Sequence, residues 1–144
     1  MKMEYNVQVL RGWPMDGALE RSEVIAAGQT LQNGDWVTKN SDNTVSLSGA
    51  SAAKAGLVIR GNSDSSSAST ANKAVVLWSN FEVQIKNLPT GVTFAPGNDL
   101  TIKNGKVALG TFGTDPLIGK VLDVYGTQSS PPTNGDWSIV AVVY

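Results

Sequence analysis

Apolar and polar side chains alternate through Glu4-Tyr5-Asn6-Val7-Gln8-Val9-Leu10, with Tyr5, Val7 and Val9 on one face. A period of two predicts a half-buried strand, or an extended arm that pairs with another surface. Arg11-Gly12-Trp13-Pro14 ends it. Residues 15–27 carry a mixed signal: Asp16 could cap a short helix through Ala18, Leu19 and Glu20, whereas Val24-Ile25 running into Gly28 suits a strand, expected over residues 23–27. Asn33-Gly34 then supplies the φ > 0 positions of a tight turn, and Trp36-Val37 begins a strand. The same letters return in Asn134-Gly135-Asp136-Trp137, ahead of an apolar strand over residues 138–144. Gly97-Asn98-Asp99-Leu100 opens a further strand. Lys103-Asn104-Gly105-Lys106 folds Leu100-Thr101-Ile102 back onto Val107-Ala108-Leu109 as a hairpin.

These segments contain an internal echo. Asp35-Trp36-Val37-Thr38-Lys39-Asn40, Val45-Ser46-Leu47 and Gly56-Leu57-Val58-Ile59 parallel Asp99-Leu100-Thr101-Ile102-Lys103-Asn104, Val107-Ala108-Leu109 and Gly119-Lys120-Val121-Leu122. The echo reads either as two related strand-turn-strand units within one barrel or sandwich, or as chance. Residues 61–72 form a small polar, Ser-rich tract with no apolar anchor larger than Ala, which reads as a surface loop. Were it a linker, each half would have too little surface to bury alone, so one domain over residues 1–144 is expected. Val (16) and Ile (6) outnumber Leu (11), and Gly, Ser, Thr and Asn are abundant, which favours short strands joined by tight turns. The expected fold is all-β: a single-domain antiparallel β-barrel or sandwich with long surface loops and an extended N-terminal arm over residues 1–13.

Charge and missing residue types narrow the chemistry. With 11 Lys+Arg, 12 Asp+Glu and a net charge of -1, the chain has no basic field to draw in nucleic acid. No His and no Cys occur, so Ser/His/Asp triads, imidazole metal ligands, thiolate nucleophiles, zinc knuckles and disulfides are excluded. A carboxylate pair, a Lys or a Tyr remain as conceivable catalysts, but no spacing pairs the acids. No apolar run approaches the roughly 20 residues of a membrane span, and the first ten residues do not read as a signal peptide. No catalytic residue, cofactor or metal is expected, and the product is expected to be made in a cytoplasm.

Asp35, Asp99 and Asp136 each follow a Gly or Asn and precede an apolar residue, which reads as a turn role, with the carboxylate accepting from local N–H groups. Trp36, Trp78 and Trp137 stand in apolar strand contexts and are expected in the core, although an exposed row of them would make a sugar-stacking platform. Trp13 lies outside the periodic strands. It reads equally as a lid on the barrel end or as an intermolecular anchor, since Trp and Arg concentrate at interfaces. Tyr5, Val7, Val9, Arg11 and Trp13 are therefore the candidate partner-binding residues.

Val24-Ile25-Ala26-Ala27-Gly28-Gln29-Thr30-Leu31-Gln32-Asn33-Gly34-Asp35-Trp36-Val37 resembles the strand, Gly-x-x-Leu-x-x-Gly turn and second strand of tailed-bacteriophage head decoration (cement) proteins. Ala55-Gly56-Leu57-Val58-Ile59 and Ile118-Gly119-Lys120-Val121-Leu122 are similar to the later strands of such chains. The Ser-rich tract, Trp36 and the long C-terminal part depart from that pattern. The resemblance covers residues 23–125. It implies a structural protein on the outer capsid surface of a virion, a homo-oligomer, with a trimer favoured, that clamps neighbouring major capsid subunits. On that expectation the N-terminal arm adds a strand to the capsid or to a neighbouring copy. A carbohydrate-binding module with exposed Trp side chains is the alternative expectation, and a small carboxylate-dependent hydrolase a remoter one.

Overall fold

The computed structural model describes residues 6–11, 19–50, 54–64, 72–126 and 137–144. Among these the chain forms eleven strands and one short 3-10 turn at Asn62–Asp64. The strands are β1 (Val7–Arg11), β2 (Glu20–Ile25), β3 (Trp36–Lys39), β4 (Thr44–Leu47), β5 (Gly56–Arg60), β6 (Lys73–Leu77), β7 (Phe81–Ile85), β8 (Asp99–Lys103), β9 (Lys106–Leu109), β10 (Gly119–Gly126) and β11 (Trp137–Val143). The all-β expectation holds. β2-β4-β3-β5-β6 close as a barrel, and β1-β7-β11-β10-β8-β9 form a six-stranded sheet.

The two sheets repeat one plan. Strands β2 to β6 and β7 to β11 have the same connectivity, so β2 corresponds to β7, β3 to β8, β4 to β9, β5 to β10 and β6 to β11. The registers agree in detail: Val37 faces Gly56 and Leu47, as Leu100 faces Gly119 and Leu109. Both fourth strands, β5 and β10, carry a bulge at the same place, between Val58 and Arg60 and between Val121 and Asp123. A bulge bends its strand and strengthens the local twist, so its recurrence gives both units the same curvature.

The repeat read from the sequence is thus present, but its first strands align differently. The sequence echo set Asp35 against Asp99. In the structure Asp35 occupies the place of Asn98, and Trp36 that of Asp99. Gln32 N–H donates to Asp35 Oδ2 at 2.9 Å, as Ala95 N–H donates to Asn98 Oδ1 at 2.7 Å. Asp99 instead pairs with Lys120 across the strands at 3.5 Å, so the turn role expected of it falls to its neighbour. Asp136 lies outside the described residues. The hairpin expected at Asn104-Gly105 forms with both residues at positive φ, 52° and 76°.

Two clusters of buried side chains fill the molecule. The smaller is the barrel interior, with Ile25, Leu31, Val37, Val45, Val58, Ala74, Val76 and Trp78. The larger takes the inner face of the second unit, among them Phe81, Val83, Ile85, Phe94, Ile102 and Ile139, together with Trp36, Ala55, Leu57 and Leu77 from the first. Side chains alternate along a strand, so Trp36 and Leu57 leave the barrel wall outward and bind the units through one apolar layer. Trp36, Trp78 and Trp137 are all buried, as expected for core residues, and Trp13 lies outside the described residues. The strand expected over 23–27 runs over 20–25: Glu20, Arg21 and Ser22 extend it because β6 pairs from Glu20 to Val24, and it ends at Ile25, before Ala26 and Ala27. The polar tract at residues 61–72 begins as an anchor rather than a plain surface loop. Asn62 Oδ1 accepts from Leu31 N–H at 2.8 Å and Ser63 Oγ donates to Leu31 O at 2.9 Å.

Gly119 marks how tightly the strands approach. A Cβ built there would lie 2.1 Å from Val142 O, and one at the equivalent Gly56 would lie 2.5 Å from Val76 Cγ1. The backbone contact has no flexible end to yield. Gly119→Ala is expected to lower stability by about 2 kcal/mol or more, and an unchanged urea midpoint would show that the sheet is looser than described.

Burial raises the Asp35 carboxyl pKa above 3.8; the Gln32 hydrogen bond opposes that shift, nearby Asp64 adds to it and Lys106 reduces it. A raised native pKa means the folded state holds the proton more tightly. The Asp35 contribution therefore favours folding at low pH and is lost as pH rises from the unfolded value through the folded one. Asp35→Asn installs the residue that the second unit uses at this corner. Denaturant melts between about pH 4 and about pH 7 are expected to show stability at neutral pH equal to or above the parent and a flatter dependence in that window.

Candidate functional site

The N-terminal strand is part of the sheet. β1 pairs antiparallel with β7, Val7 opposite Ile85 and Val9 opposite Val83, with a register shift between Val9 and Arg11. It takes the edge of β7 that corresponds to the edge of β2 filled by β4 in the barrel. The second unit does not repeat that closure, and the positions matching Val24 and Ile25 are Lys86 and Asn87, followed by Leu88 and Pro89. Pro89 brings no N–H and restricts Leu88.

Alternation divides β1 into two faces. Val7 is buried in the larger core and Val9 packs against it, so neither side chain is available to a partner while β1 is seated. Gln8, Leu10 and Arg11 are exposed, and Arg11 lies 3.9 Å from Glu82 with most of its side chain in solvent. Tyr5 and Trp13, the other two residues expected at a partner surface, lie outside the described residues. Lys86 N–H donates to Asn6 O at 2.8 Å, which makes Asn6 and Gln8 the residues bonded to β7. The backbone groups of Val7 and Val9 then point to the sheet edge.

One of those edge groups is capped. Val7 N–H donates to Asn33 Oδ1 at 3.1 Å, Asn33 Nδ2 donates to Ile59 O at 2.8 Å, and Asn6 Nδ2 donates to Asn33 O at 2.9 Å. Asn33 N–H in turn donates to Asp64 Oδ2 at 2.6 Å, which also accepts from Gly61 N–H at 2.8 Å. Through this buried amide β1 is held by the barrel as well as by β7. The Asn-Gly signal marked Asn33 as a turn residue, but nothing local disclosed these remote partners. Asn33→Ala leaves buried Val7 N–H and Ile59 O unpaired and is expected to cost about 2 kcal/mol, with faster amide exchange at Val7; unchanged exchange would show that β1 does not depend on the barrel.

A second concentration of polar groups lies at one mouth of the barrel. Leu19, Arg21, Glu23, Lys39, Lys54 and Trp78 line a cavity of about 260 Å³. Glu23 is only 2% exposed. Its carboxylate is engaged from three sides: by Lys39 Nζ, by Arg21 Nε at 3.3 Å and by the Trp78 indole N–H at 3.3 Å. Lys54 Nζ donates to Tyr144 O at 3.3 Å, and burial lowers its pKa. Sequence reasoning passed over this cluster because its members are far apart in the chain and Arg21-Ser22-Glu23 reads as an exposed polar run. The charges on alternate residues, leading into Ile25, were the available signal.

Among the described residues no group of three or more His, Cys, Asp or Glu side chains could hold a metal ion. No family model matches the chain, and no curated protein or solved structure matches it. The class defined by the fold is therefore a tandem pair of five-stranded β units bridged by an N-terminal edge strand.

Proposed function

We propose that the chain is a virion structural protein that docks on the outer face of a phage capsid and stabilises the shell by bridging neighbouring major capsid subunits, as a homo-oligomer with a trimer favoured. The observation that carries this reading is β1. It is an edge strand whose outward side chains, Gln8, Leu10 and Arg11, are exposed while its inward ones fix it to both units. Such an edge can accept or add a strand in a partner's sheet, with backbone hydrogen bonds supplying affinity. A protein that binds only the assembled lattice stabilises it by mass action, with no catalytic group required. The resemblance of the Gly-punctuated strands to head decoration proteins supports the same reading.

Because Val7 belongs to the core, deleting the N-terminal strand would damage the fold and the interface together. Leu10→Asp with Arg11→Gln changes two exposed side chains and gives up only the solvent-exposed contact of Arg11 with Glu82. The double variant is expected to keep its melting temperature and to lose at least about tenfold in affinity for expanded capsids in co-sedimentation, equivalent to about 1.4 kcal/mol. Unchanged sedimentation of a folded variant would remove β1 from the docking surface, and a parent protein that sediments with no capsid preparation would end the proposal.

A further inference from the structure

The two units provide an internal control for the cavity at the barrel mouth. By strand register, Leu19, Arg21 and Glu23 of the first unit occupy the places of Phe81, Val83 and Ile85 in the second. Lys39 stands in the place of Ile102, Lys54 in that of Leu117 and Trp78 in that of Val143. Every lining residue thus has an apolar counterpart. Phe81, Val83, Ile85, Ile102 and Val143 are all buried, so the second unit seals this end with hydrocarbon. The backbone plan is satisfied without a charge here.

The first unit has instead placed three cations and a buried carboxylate around an open space. Replacing buried ion pairs by packed apolar side chains is often neutral or stabilising. Fold stability thus gives no reason to keep the cluster, and the cavity forgoes packing that Phe81 supplies in its twin. The lining charges also do not balance. Glu23 sets one negative charge against Arg21 and Lys39, and Lys54, which donates to Tyr144 O, adds a third cation to the lining. Lys54 is partly desolvated, which an anion in the cavity would relieve. The walls are otherwise apolar, from Leu19 and the Trp78 ring.

We infer that this cavity is a binding site for a carboxylate carried on a small apolar body, with Lys54, Lys39 and Arg21 receiving the anion, Glu23 holding Arg21 and Lys39 in position, and Trp78 and Leu19 covering the apolar part. The site is independent of the β1 edge. Its ligand is a free small carboxylic acid or the carboxyl terminus of a polypeptide with an apolar last residue.

The experiment uses the full chain and follows the Trp78 indole N–H resonance, assigned with Trp78→Phe, during titration with hexanoate, hexanamide and N-acetyl-Ala-Leu bearing a free carboxylate. The carboxylates are expected to shift the resonance saturably and to bind at least about tenfold more tightly than the amide. The tighter of the two carboxylates identifies the source. Lys54→Met is expected to weaken carboxylate binding by a similar factor. The triple variant Arg21→Val, Glu23→Gln, Lys39→Ile, which removes the charges but leaves an oxygen to accept from the Trp78 indole N–H, is expected to fold with an unchanged or raised melting temperature and to bind none of the probes. Equal response to hexanoate and hexanamide, no response to either carboxylate at millimolar concentration, or undiminished binding in Lys54→Met would overturn the assignment. So would a triple variant that loses stability, since the cluster would then be structural.

Discussion

Each unit is organised by a reciprocal backbone exchange at one corner. Gly34 N–H donates to Val58 O at 2.9 Å while Val58 N–H donates to Asp35 O at 2.8 Å; in the second unit Gly97 N–H donates to Val121 O at 2.8 Å and Val121 N–H to Asn98 O at 2.9 Å. Both glycines sit at positive φ, 96° and 91°, where a side chain would add strain. The exchange clamps the entry of one strand to the middle of another that lies some twenty residues further along. Once it is made, Val37 must face Gly56 and Leu100 must face Gly119, and the bulge that follows bends the fourth strand toward its next partner. A one-residue slip would reverse every side chain between core and surface.

On this common frame the outward faces have opposite tasks. Trp36 and Leu57, directly opposite each other on β3 and β5, are buried against the second unit. At the matching positions Asp99 and Lys120 pair across β8 and β10, and Leu122 stands partly exposed beyond them. One unit therefore presents an apolar wall and its twin a charged one. The apolar wall is covered within the chain, whereas Asp99 and Lys120 stay partly exposed at the matching place.

Much of this was legible because it is local. The Asn104-Gly105 hairpin, the strand starts after Gly34 and Gly97, and the buried Trp residues follow from turn chemistry and a period of two. The repeat was visible, yet its register was set wrongly at Asp35. Identical letters suggested Asp99, whereas hydrogen bonding treats Asp35 and Asn98 as equivalents, since each needs only a side-chain oxygen to accept from the third residue before it. The partner-binding expectation for Val7 and Val9 met a different limit. Alternation identifies an apolar face but not whose core it enters, and here it enters the chain's own. The barrel-mouth cavity was hidden because Arg21, Lys39 and Lys54 come together only once β2, β3 and the chain before β5 are paired.

β1 joins these observations. Its ladder belongs to the second unit, while its capped N–H belongs to Asn33, whose other bonds run to Ile59 and, through its own N–H, to Asp64 in the first. Peeling β1 away would uncover Val7 and leave the Asn33 amide without that partner, so the strand is not a loose arm to be lent to another surface. A partner meeting it must add to the edge as it stands. Such addition couples binding to the integrity of both units, because any opening that frees β1 from either one also destroys the docking edge. Were the chain to bind a lattice through this edge, as proposed, the lattice would raise the stability of the chain as the chain raises that of the lattice.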